Sequence, residues 1–142
     1  MGAPYTGRCG CGAVTLRISA EPIATRQCRC RQCQTIAAGG PTNNAIFPAE
    51  AVDIGGALAS SSWTAASGNT LTHTFCPSCG TQIYAQSSAR PTLKTVRIGV
   101  LDLPHGIRPQ AVIWTDDAPE WAIIDPALEQ FGRQPPPPPS AQ

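Results

Sequence analysis

Residues 69–86, NTLTHTFCPSCGTQIYAQ, set a Cys76-Pro77-Ser78-Cys79-Gly80 turn between two runs that read as strands. Glycine lets the backbone turn sharply there, so that two thiolates and nearby N–H groups converge on one point. The stretch therefore reads as two strands joined by a metal-binding knuckle. A second knuckle, Cys9-Gly10-Cys11-Gly12, stands just before AVTLRISAEP (13–22), where Val14, Leu16 and Ile18 alternate with Thr15, Arg17 and Ser19. That alternation is the mark of a half-buried strand. Together the knuckles supply Cys9, Cys11, Cys76 and Cys79, a four-thiolate set suited to a tetrahedral structural zinc with Zn–S near 2.3 Å. Such an ion would staple the first strand to a hairpin far along the chain.

The rest of the chain also reads as strands. AVDIGGALASSSW (51–63) reads as strand, Gly55-Gly56 turn, strand. LKTVRIGVLD (93–102) sets Val96, Ile98 and Val100 on one face of a strand, and QAVIWT (110–115) is a further short one. Helix signals are confined to a turn or two in CRQCQTIAA and to DPALEQF (125–131), where Pro126 follows Asp125 at a first helical position. The expectation is an all-β domain of antiparallel strands with little helix over residues 3–132. Residues 133–142, RQPPPPPSAQ, form a proline-rich tail expected to be disordered.

A chain of 142 residues suits one domain with a core of its own. A net charge of +1 gives no field that would draw a nucleic acid. No apolar run reaches the roughly 20 residues that span a bilayer, and the start lacks a secretory apolar region. No membrane partner is expected, and the expected location is cytoplasmic. The sequence sets no oligomeric state. Seven cysteines would leave one thiol over in a disulfide framework, and in reducing cytosol clustered cysteines point to metal or catalysis.

Cys28, Cys30 and Cys33, in QCRCRQC (27–33), remain after the knuckles are paired. Three readings stand. They are free thiols; or a second structural zinc completed by a distant histidine; or a zinc with three protein ligands and an open fourth position, as catalytic zinc sites are built. Only His73 and His105 are available as a fourth ligand, and both read more simply as surface or packing residues. Arg29 and Arg31 either keep the cysteines ionised and draw a carboxylate-bearing substrate, or are solvated loop charges. Trp63, Trp114 and Trp121 are expected in the core rather than around a pocket.

The pieces GRCGCGAVTLRI, CRCRQCQTIAAG, FPAEAVDIGG, HTFCPSCGTQIYA, VRIGVLDLP and VIW occur in order over residues 5–131. In them the chain resembles the glutathione-dependent formaldehyde-activating (GFA) enzymes, a family that also includes centromere protein V. The resemblance implies a β-tent fold with two zincs per chain: a structural one on Cys9, Cys11, Cys76 and Cys79, and a catalytic one on Cys28, Cys30 and Cys33. It implies a carbon–sulfur lyase that joins a small-molecule thiol, glutathione or similar, to a small carbonyl substrate such as formaldehyde. Asp102, in VLD, matches a family motif and reads either as a proton-handling group or as a turn former. Arg29 stands where many members carry histidine, and residues 111–114 lack the histidine of their "HIW". Two other readings are a non-catalytic zinc-binding interaction module, and an enzyme of the same fold whose zinc activates a nucleophile other than a thiol.

Overall fold

The alternating strand expected in residues 13–22 forms, and it pairs with an earlier strand that the sequence reading did not mark. β1 (Tyr5–Arg8) and β2 (Thr15–Ile18) pair antiparallel, Tyr5 opposite Ile18 and Arg8 opposite Thr15. Tyr5, Leu16 and Ile18 turn inward, while Thr6, Arg8, Thr15 and Arg17 face solvent. The computed structural model, which describes residues 2–136, continues with β3 (Ala24–Cys28), helix α1 (Arg31–Ile36), β4 (Thr42–Pro48), β5 (Val52–Gly55) and β6 (Ala59–Thr64). It closes with β7 (Thr70–Phe75), β8 (Gln82–Ser87), β9 (Leu93–Arg97), β10 (Ala111–Ile113) and β11 (Glu129–Gln130).

The strands divide into two sheets, one ordered β1-β2-β5 and the other β11-β10-β3-β4-β9-β8-β7-β6. Pairing is antiparallel except at β10, which runs parallel to both β3 and β11. The core lies between the sheets. Tyr5, Leu16, Ile18 and Val52 from the smaller one share a cluster with Ala45, Phe47 and Val96 from the larger. Phe47 is fully buried, and a side chain of that size contributes about 1.5 to 3 kcal/mol by leaving water. The sheets touch through the backbone at the bridge between Gly7 and Leu101. A Cβ at Gly7 would stand 2.4 Å from the Val100 carbonyl oxygen, so the approach requires glycine.

The mostly-sheet architecture agrees with the expectation; four local readings change. Residues 51–63 do form two strands, but not a hairpin: β5 completes the small sheet on β2, while β6 is the far edge of the large one. Residues 93–102 remain a strand only to Arg97; a 3-10 turn over Ile98–Val100 then carries the chain to the bridge at Leu101. Ile98 and Val100 are buried there all the same. DPALEQF forms no helix. The Asp125 carboxylate accepts from the Ala127 N–H at 2.9 Å, and Glu129–Gln130 then join β10 as β11. Finally, contacts run past residue 132. Trp114 N–H donates to the Arg133 carbonyl at 3.4 Å, Trp114 Nε1 to Gln134 Oε1 at 3.2 Å, and Pro135 is buried. Residues 137–142, which hold most of the proline run, lie outside the described residues.

Candidate metal centres

The turn between β7 and β8 brings Cys76 and Cys79 against Cys9 and Cys11, which lie between β1 and β2. Gly80, with φ +78°, takes the left-handed conformation the knuckle needs, and its N–H donates to the Cys76 carbonyl at 2.8 Å. Backbone and hydroxyl groups aim at the sulfurs. Val14 N–H donates to Cys9 Sγ at 3.2 Å, and Cys79 Sγ lies 3.1 Å from Thr81 Oγ1. The Cys9–Cys11 and Cys11–Cys76 sulfur separations are 3.6 and 3.8 Å. A disulfide needs about 2.05 Å, whereas a tetrahedron with Zn–S of 2.3 Å has edges of about 3.8 Å. The donor set therefore fits a tetrahedral thiolate-loving ion. Hydrogen bonds favour the thiolate in two of the four. The Val14 N–H chiefly lowers the Cys9 pKa, and the Thr81 hydroxyl and N–H bring Cys79 down to about 5. Cys11 is pushed up to about 11: the Ala13 N–H favours its thiolate, but Cys9, burial, Cys79 and Cys76 outweigh it.

The second group closes around the start of α1. Cys28 ends β3, Cys30 caps the helix, and Cys33 sits in its first turn. Cys33 N–H donates to Cys30 Sγ at 3.3 Å, so the cap itself orients a sulfur. Thr42 Oγ1 donates to Cys33 Sγ at 3.1 Å from the neighbouring strand β4. The three sulfurs lie within 4.8 Å of one another, and among the described residues no histidine or carboxylate joins them. Hydrogen bonds from Cys28 and Cys33 bring the Cys30 thiol down to about 2, and the same bonds together with burial push Cys28 up. A divalent ion would replace the thiol protons, because coordination deprotonates thiols outright.

Arg29 is neither a solvated charge nor a group aimed at the sulfurs. Its side chain is buried, with Nη2 donating to the Ile123 carbonyl at 3.1 Å. It ties the segment after β10 to the trio loop. Arg31 is exposed and donates to Gln34, as a loop charge would. The tryptophans are not core residues. Trp63 and Trp114 are half-buried and Trp121 is 69% exposed. Trp114 packs on the Cys28–Cys33 cluster from a left-handed backbone conformation, φ +59°. Asp102 accepts from Thr6 Oγ1 at 2.8 Å and pairs with Arg8 at 3.4 Å, fastening β1 rather than facing a cysteine. His105 Nδ1 accepts from Ile107 N–H. His73 is buried edge-on to Trp63, ring centroids 4.0 Å apart, and is not a ligand.

Arg97, Asn44 and Thr42 escaped the sequence reading. Arg97 Nη1 donates to Asn44 Oδ1 at 2.6 Å, Asn44 Nδ2 to Thr42 Oγ1 at 2.9 Å, and Thr42 to Cys33. The available signal was faint: the strand TNNAIFP opens on three consecutive polar residues, of which Thr42 and Asn44 are buried. A groove of about 580 Å³ runs past this relay, lined by Cys9, Ile36, Thr42, Thr81, Gln82 and Arg97 among others. It borders the four-cysteine group at Cys9, and its wall includes Thr42, the hydrogen-bond partner of Cys33.

The fold and site define a mostly-β protein with one four-cysteine and one three-cysteine group, each of which could hold a metal ion. The family model of the glutathione-dependent formaldehyde-activating enzyme matches residues 4–117, and the chain belongs to that family. A crystal structure of a Rhodobacter sphaeroides protein, solved as a structural-genomics target, shares the fold. Its TM-score is 0.55 at 24% identity, over 73% of this chain and 91% of that one. A search of curated proteins gave no match. Among the described residues no helix is long and apolar enough to cross a membrane.

Proposed function

We propose that the protein is a zinc-dependent carbon–sulfur lyase-like enzyme acting on adducts of a small thiol, glutathione or similar, with a small carbonyl electrophile such as formaldehyde. The observation that carries this reading is the contrast between the two centres. Four sulfurs converge at Cys9, Cys11, Cys76 and Cys79, and three at Cys28, Cys30 and Cys33 with no fourth protein donor among the described residues. The first is a structural clamp between two sheets. The second has room for one exogenous ligand, the arrangement of catalytic rather than structural zinc sites.

Zinc in the trio would supply Lewis acidity, keeping a thiol deprotonated at neutral pH. The chain's own residues do the rest. Cys28, Cys30 and Cys33 hold the ion; the Cys33 N–H and the Thr42 hydroxyl fix two of the sulfurs. Trp114 packs on the cluster on one side, and Thr42, which holds Cys33, also lines the groove from which a thiol would approach. In the addition direction a sulfur–carbon bond forms as the carbonyl π bond opens. The proton lost by the thiol returns through solvent to the carbonyl oxygen, and the lyase direction reverses each step.

Exchange spectroscopy on glutathione with formaldehyde tests the substrate. The protein with two zincs should accelerate exchange over buffer, and Cys33→Ser, keeping one zinc, should not. No acceleration by the two-zinc protein would refute glutathione and formaldehyde as the pair.

A further inference from the structure

We propose that Arg97 is the counter-cation of the Cys28–Cys30–Cys33 centre and sets its preference for an anionic fourth ligand. This rests on the trio holding a metal, as argued above, and goes beyond it by naming what makes a thiolate acceptable there.

The placement follows from register. Arg26, Asn44 and Arg97 stand opposite one another across β3, β4 and β9, and Cys28 stands opposite Thr42 one step along the same face. The large sheet turns Ala45, Phe47 and Val96 toward the core, so this row and the cysteines share its other face. Arg97 is 8% exposed. Only its Nη1 has a partner, Asn44; Nε and Nη2 are buried without one. No carboxylate lies within ion-pair distance of Arg97 or Arg26, since the ion pairs among the described residues are Arg8–Asp102 and Arg133–Asp116. Burial disfavours the charged guanidinium, and Cys33, Cys28 and Cys30 are the groups that offset it.

A buried cation without an anion is costly, and so is a buried anion without a cation. Zinc with three thiolates carries a net charge of −1, and a thiolate in the fourth place makes it −2. Each deficit is the remedy for the other. A cationic wall therefore favours a thiolate over a neutral ligand such as water. Arg97 is also joined to the centre by hydrogen bonds through Asn44 and Thr42, which hold Cys33 and the guanidinium in one frame. Arg97 is thus a positioning residue: it acts on the ligand through the field it sets at the trio.

The test uses the full chain loaded with cobalt(II) and titrated with 2-mercaptoethanol, a thiol with no carboxylate. Sulfur-to-cobalt charge-transfer absorption reports its entry. Arg97→Gln should weaken thiol uptake on the order of tenfold or more, while Arg97→Lys, which keeps the charge, should stay close to wild type. Asn44→Asp leaves Arg97 in place but gives it a carboxylate partner, and it should reproduce the loss. Selective loss of the trio's metal in Arg97→Gln, with the other centre loaded, also supports the proposal. Wild-type thiol affinity in both Arg97→Gln and Asn44→Asp would overturn it, as would loss in Arg97→Lys equal to that in Arg97→Gln. A wild-type chain holding one metal would overturn the functional reading and this proposal with it.

Discussion

His73 makes the fold sensitive to acid in a window that its surroundings define. Burial chiefly, and the Arg97 charge with it, bring its pKa down to about 4, against the opposing pull of Cys30. In the unfolded chain an exposed histidine titrates near 6.5. The unfolded state therefore binds more protons between pH 6.5 and 4, and stability falls as pH falls through that window. Above pH 6.5 both states are neutral and nothing is lost. At pH 5 the unfolded imidazole is almost wholly charged while the folded one is about nine-tenths neutral, which amounts to about 2 kcal/mol of lost stability. The full loss, about 3 kcal/mol, is reached below pH 4. The assay is urea unfolding of wild type and His73→Gln at pH 7.5 and at pH 5. Metal loss at the lower pH acts on both proteins and cancels in the comparison. The stability advantage of wild type over His73→Gln should shrink by about 2 kcal/mol, or reverse, on acidification. An advantage that stays the same at both pH values would refute the reasoning and place His73 among ordinary solvated histidines.

Two further outcomes follow from the centres. Metal analysis should find two zincs per chain, and both Cys33→Ser and Cys76→Ser should retain one. Cys76→Ser should also lower Tm by about 10 °C or more, because it opens the clamp between the sheets, while Cys33→Ser should lower it less; equal falls by calorimetry would contradict the division of roles. Arg29→Ala removes the bond to the Ile123 carbonyl from a buried position and should cost about 1 to 3 kcal/mol in urea unfolding. Trp121, two residues before Ile123, should report the loosened segment by a change in fluorescence, and an unchanged midpoint and spectrum would show that Arg29 carries no such load.

How much of this was written in the sequence depends on which physical signal each part carries. The knuckles were legible because Cys-Gly and Cys-Pro-Ser-Cys-Gly combine ligands with the glycines a sharp turn needs. β2 buries one face, so the Val14, Leu16 and Ile18 alternation after the second knuckle was legible too, though its four-residue partner β1 was not. β3 and β4 were not, although they are the middle of the large sheet. The face of those strands that carries the cysteines is polar: Arg26, Thr42 and Asn44 stand where an apolar pattern would have declared a strand. The site thus hid its own scaffold. The Gly55-Gly56 pair promised a hairpin, but a turn sequence fixes only the turn. Which sheet the next strand joins is settled by long-range pairing, here β6 with β7. DPALEQF had a helix start and no face to bury; Asp125, Pro126 and Ala127 are all exposed, so no packing offsets the cost of nucleating so short a helix. Arg29 misled for the same reason in reverse, since a buried guanidinium whose Nη2 bonds a carbonyl 94 residues away leaves no local trace.

The two centres differ in when they can come into being. The trio's ligands lie within six residues, from Cys28 to Cys33, so its donor set is complete once residue 33 has left the ribosome. The other centre spans 65 residues between Cys11 and Cys76 and has no fourth sulfur until residue 79. At about 5 to 20 residues per second, synthesis separates the two events by roughly 2 to 9 s. Through that interval Cys9 and Cys11 wait as an open half-site, while the trio already competes for metal. The nascent chain would therefore fill the centre assigned to chemistry before the centre that closes its fold.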